Sequence, residues 1–84
     1  MKKAQYFALI KEITAHLRNH GIEYGKVYSE PRKSFGYRTK LYLCRHIAAK
    51  VINEKFGSQV TATPYFGGMH KLMHVKITPN KFVK

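Results

Sequence analysis

Residues 58–78 carry the pattern that most restricts the fold. Val-Thr-Ala-Thr, then Gly67-Gly68, then Lys-Leu-Met-His-Val-Lys-Ile reads as a β-hairpin with a two-residue primed turn. Pairing Phe66 with Met69 sets the register. One face then takes Val60, Ala62, Phe66, Met69, Met73, Val75 and Ile77. The other takes Gln59, Thr61, Thr63, Tyr65, His70, His74 and Lys76, with Leu72 the one misfit. A one-residue slip would mix the two sets, so turn and pattern support each other. Pro64 has no amide hydrogen, which assigns its strand to an edge or turns its non-bonding side outward. Lys71 falls near the tip of the apolar face, and Pro79 ends the second strand.

An apolar hairpin face needs a cover, and the N-terminal residues supply one. Tyr6, Leu9, Ile10, Ile13 and Leu17 recur at helical spacing within a predicted helix over residues 3–20. Gly21 offers the left-handed residue that commonly closes a helix. His20 lies near the stripe and His16 on its margin, both read as half-buried packing histidines. Residues 22–29 (IEYGKVYS) read as a short strand ended by Glu30-Pro31, and residues 31–38 as a loop broken by Pro31, Ser34 and Gly36.

A second helix is expected from about Thr39, as N-cap, to Phe56, closed by Gly57. Its stripe is Leu41, Cys44, Ala48, Val51 and Ile52, with Ile47 and Phe56 at the margins. Tyr42, His46 and Lys50 would form an outer ridge. A competing register runs a strand through residues 37–43 and starts the helix near Arg45. The preferred order, α-β-α-β-β, gives one α+β domain over residues 1–84, with two helices on one face of a three-stranded sheet. No internal repeat, linker or low-complexity run is visible.

Charge then points to a partner. Sixteen Lys and Arg against Glu12, Glu23, Glu30 and Glu54 give a net charge of +12, and no acid follows Glu54. Such a field repels itself unless a polyanion or an acidic protein neutralises it, and nucleic acid is the first expectation. The stretch PRKSFGYRTKLYLCRH, residues 31–46, interleaves Arg32, Lys33, Arg38, Lys40 and Arg45 with Phe35, Tyr37 and Tyr42. Cations between aromatics suit phosphates and stacked bases. In the helical reading this loop meets the free amides of a helix start. The expected nucleic-acid contacts (RNA or DNA) are therefore Arg32, Lys33, Tyr37, Arg38, Lys40, Tyr42, Arg45, His46 and Lys50. Tyr65, His70, His74 and Lys76 join them from the polar hairpin face.

Other chemistries find less support. A lone Cys44 excludes an internal disulfide and a cysteine-based zinc site. His16/His20 and His70/His74 lie four apart, but carboxylates are scarce, so no metal and no cofactor are expected. The chain is read as non-enzymatic. A small protein-binding effector that docks on an acidic or nucleic-acid-binding site is the alternative, and a metal-independent nuclease using His, Lys and Tyr comes third. No apolar run reaches the roughly 18–20 residues of a membrane span. Lys11 and Glu12 interrupt the only early apolar run, so a cytoplasmic protein without a membrane contact is expected. No motif assigns the chain to a family.

Overall fold

A computed structural model describes residues 1–67 and 72–83. The order is α1 (Lys3–Asn19), β1 (Val27–Arg32), β2 (Gly36–Tyr42), α2 (Ile47–Phe56), β3 (Val60–Gly67) and β4 (Leu72–Pro79). The four strands form one antiparallel sheet, ordered β1-β2-β4-β3. The result is a small α+β domain in which helix followed by hairpin occurs twice.

The expected stripe of α1 is buried throughout, from Tyr6 and Ile13 at 0% exposure to Leu9 and Ile10 at 6%. Gln5 reaches back to the Lys2 amide at 2.9 Å, satisfying one free donor at the helix start. At the other end Gly21 has φ +69°. The amides of Gly21 and Ile22 bond the carbonyls of Arg18 and Leu17, the paired closure of a Schellman motif. His16 is half-buried against Phe56, but His20 is exposed, because the helix closes before that position can face the core.

The sheet has four strands, not three, and the additional strand is β2. Thr39 is not an N-cap: it sits at 0% exposure in mid-strand. The segment had two periodicities to choose from. Leu41, Cys44 and Ala48 are core residues in either register. As a strand, the segment also buries Thr39 and lets β2 bond β1 on one side and β4 on the other. With partners on both flanks, the strand's amides and carbonyls are satisfied without intrahelical bonds. Leu43, at φ +55°, turns the chain out of β2 toward α2. The ridge of Tyr42, His46 and Lys50 therefore does not exist, since Tyr42 belongs to β2 and His46 precedes α2.

The first strand is also displaced, to Val27–Arg32, and includes the Glu30-Pro31 pair expected to end it. Pro31 is tolerated because β1 is an edge strand; Pro64 lies in the other edge strand, β3. Only residues 33–35 link β1 to β2. Gly36 follows at φ +83°, and the Phe82 ring occupies the space where a Cβ would stand.

The second hairpin keeps its predicted faces with a different register. Phe66 pairs with Met73, not Met69, and Gly67 pairs with Leu72. The offset is four residues, an even number, so the described side chains stay on their assigned faces. Alternation alone cannot separate registers that differ by an even shift. The two-residue turn expected at Gly67-Gly68 is not formed, because Gly67 belongs to β3 and pairs with Leu72; residues 68–71, with Met69, His70 and Lys71, lie outside the described residues.

Both helices cover the same sheet face. Leu41, Val60, Ala62, Val75 and Ile77 meet Leu9, Ile10, Ile13 and Leu17 of α1, with Ala48, Ala49, Ile52 and Phe56 of α2, in one core. A run of hydroxyls crosses it. The Tyr6 hydroxyl donates to the Ile77 carbonyl at 2.9 Å and lies 2.6 Å from Thr39 Oγ1, which lies 2.9 Å from Ser29 Oγ. Each hydroxyl has one proton, so Thr39 donates to Tyr6 and Ser29 donates to Thr39. Burial pushes the Tyr6 phenol up to about 12, so its proton is retained. The chain of bonds ties α1 to β1, β2 and β4. No helix among the described residues is long and apolar enough to cross a membrane.

Candidate nucleic-acid interface

With both helices on one face, the other face of the sheet is left open among the described residues. Its composition follows from the same alternation that builds the core. Thr39 and Leu41 point inward, so Arg38, Lys40 and Tyr42 point outward from a central strand. On β4, Val75 and Ile77 point inward, so His74 and Lys76 point outward. Each central strand thus presents its polar set on one side of the sheet.

The register aligns that array in cross-strand rows. Tyr28, Lys40, Lys76 and Thr63 make one row across all four strands. Tyr42, His74 and Tyr65 make the next. The ring centroids of Tyr42 and His74 are 5.5 Å apart, and those of Tyr65 and His74 4.8 Å. Between its neighbours His74 is only 7% exposed, whereas Tyr65 is 45% and Tyr28 44% exposed. The tyrosines therefore form the accessible aromatic surface. Lys76 Nζ lies 3.9 Å from the Tyr65 ring centroid, a cation–π contact, and Lys26 sits 5.6 Å over Tyr28.

The face concentrates positive charge. Lys40 and Lys76 stand directly opposite each other in the central strand pair. Like charges in that relation destabilise a sheet. Desolvation pulls the Lys76 ammonium below its ordinary pKa, and Arg38, Lys40 and Arg32 lower it further. One carboxylate offsets the cluster: Glu30 accepts from Arg38 Nε at 3.0 Å and from Arg38 Nη2, with Arg32 at 3.6 Å and Lys40 at 4.0 Å. The Arg38 bond holds the Glu30 carboxyl below its usual range against an opposing desolvation.

The structure separates the sequence candidates into groups. Arg38, Lys40, Tyr42, Tyr65, His74 and Lys76 come together on the open face, with Arg32 at its edge. Lys33 is exposed in the turn after β1. Tyr37 is turned away, packed against Tyr6 at 5.9 Å, Phe7 at 5.1 Å and Phe82 at 5.6 Å. Arg45 and His46 are exposed in the link to α2, and Lys50 is exposed on α2 itself, outside the sheet rows. The basic turn and the start of α2 lie at opposite ends of β2, so the expected joint site of loop and helix start is not formed. His70 lies outside the described residues. Sequence reasoning missed Lys26, Tyr28 and Glu30; the alternation of Tyr28 and Glu30 around Ser29 was the available signal, hidden while β2 was read as helix.

His16 and His20 bring their ring centroids to 4.2 Å, and among the described residues no third metal-binding side chain joins them. Compared with protein-family models, curated proteins and solved structures, the chain matches none.

Proposed function

We propose that the open sheet face binds single-stranded nucleic acid, without catalysis. One observation carries the reading: Lys40 opposite Lys76 at the sheet centre, beside the ring row Tyr42–His74–Tyr65. A folded domain keeps a like-charge pair at mid-sheet at a cost in stability, and a phosphate between the two ammonium groups removes it. Exposed tyrosines in the adjoining row offer flat surfaces to bases that are not already paired. Arg32, Arg38, Lys40 and Lys76 hold the backbone, Tyr42, Tyr65 and Tyr28 stack, and the area suits about two or three bases, as on other sheet platforms.

The test is fluorescence anisotropy with a labelled single-stranded oligonucleotide and its duplex across a salt series. Four neutralised phosphates give a slope of log K against log salt of roughly −3 for single strands. The single strand should bind more tightly than the duplex. No binding at low salt, or equal binding of duplex and single strand, contradicts the proposal.

A protein-binding effector is the second reading, favoured by Leu43, just past β2, and Phe66 of β3, exposed at 62% and 61% and each joined to Met73 of the intervening β4. Lysate capture that survives nuclease treatment, with no affinity for purified oligonucleotides, would select it.

A further inference from the structure

Every ion pair among the described residues converges on Glu30, and on one oxygen of it. Arg38, Arg32 and Lys40 all approach Oε1. The other glutamates lie in α1 (Glu12), the link to β1 (Glu23) and α2 (Glu54), so Glu30 is the only acid in the sheet rows. It is placed there by pairing with Arg38 across β1 and β2. A carboxylate held by an arginine fork and two further cations occupies the position that a phosphate oxygen takes in an arginine–phosphate contact.

We infer that Glu30 is a resident counter-anion in the phosphate subsite, which the bound polymer must displace. The inference rests on the proposed nucleic-acid reading and specifies its ligand. Glu30 competes from within the same molecule, so an isolated phosphate cannot match its effective concentration. A polymer can, because its other phosphates engage Lys76 and its bases stack on Tyr42 and Tyr65. The subsite thus selects phosphodiester chains over free phosphate or single nucleotides. Glu30 also lowers the repulsion among Arg32, Arg38 and Lys40 in the free protein.

Two variants separate this role from simple positioning. Glu30→Gln retains an acceptor for Arg38 and loses the charge; Glu30→Ala loses both. Anisotropy with the single-stranded oligonucleotide should show both variants binding more tightly than wild type. The gain should be about fivefold, the effect of one unit charge at contact distance in water. The salt slope should also steepen, because in wild type the displaced carboxylate takes up a cation and offsets part of the counterion release. A Glu30→Gln variant that binds no better than wild type, with its slope unchanged, overturns the counter-anion role while leaving the interface reading intact. Weaker binding by Glu30→Ala alone would make Glu30 a positioning residue and also overturns it. Absence of binding by wild type and both variants removes the interface reading and this inference together.

Discussion

Replacing Tyr42 and Tyr65 together by alanine is expected to weaken single-strand binding by at least about thirtyfold. Base–aromatic stacking contributes roughly 1–3 kcal/mol per base, and these two rings flank His74 in the row beside the cation pair. Their loss leaves net charge unchanged, so a purely electrostatic contact would hardly register it. The control is a charge change away from the face: Lys11→Glu with Lys55→Glu, at exposed positions on the two helices. That pair lowers net charge by four and acts only through the long-range field. It should reduce affinity much less than the tyrosine pair at physiological salt, where charges beyond about 8 Å are screened. Thermal melts check folding, since surface substitutions usually shift stability by no more than about 0.5 kcal/mol.

The second large effect concerns the fold. Tyr6→Ala should cost about 3–5 kcal/mol, the range for removing a buried aromatic ring, in a domain whose total stability is of order 5–15 kcal/mol. Tyr6→Phe isolates the hydroxyl. It leaves the Ile77 carbonyl without this donor and the Thr39 hydroxyl without this acceptor, and should cost about 1–3 kcal/mol. Urea melts of both variants measure the two contributions. Tyr6→Phe as stable as wild type would show that the hydroxyl run does not tie α1 to the sheet.

The sequence made the helix stripe of α1 and the two faces of the second hairpin legible, for one reason. Each is a local periodicity with a single solution, and Tyr6, Leu17, Val75 and Ile77 are buried as their spacing requires. The region from Tyr37 to Ala48 was not, because Leu41 is buried by either spacing: with Cys44 and Ala48 as a helix, or with Thr39 as a strand. What decides it is pairing to β4, which begins thirty residues beyond the end of β2 and leaves no trace in local pattern. The hairpin register failed for a related reason: a four-residue shift preserves every face.

The candidate site inherits both features. Arg38, Lys40, Tyr65, His74 and Lys76 were each visible as residues, but their assembly depends on β2 lying beside β4. Tyr28 and Glu30 could be placed only once β1 was known to flank β2. By sequence the basic residues between 31 and 46 form one continuous surface. As a strand it is divided, with Tyr37 turned to the Tyr6 side and Arg38 to the open face.

The central claim is that the open sheet face is the binding surface, and backbone amide chemical-shift mapping tests it most directly. Titrating the folded protein with a single-stranded oligonucleotide should move the resonances of Tyr28, Arg38, Lys40, Tyr42, Tyr65, His74 and Lys76, and leave α1 and the exposed side of α2 still. Shifts concentrated instead at Arg45, His46 and Lys50, with the sheet residues unmoved, would contradict the account.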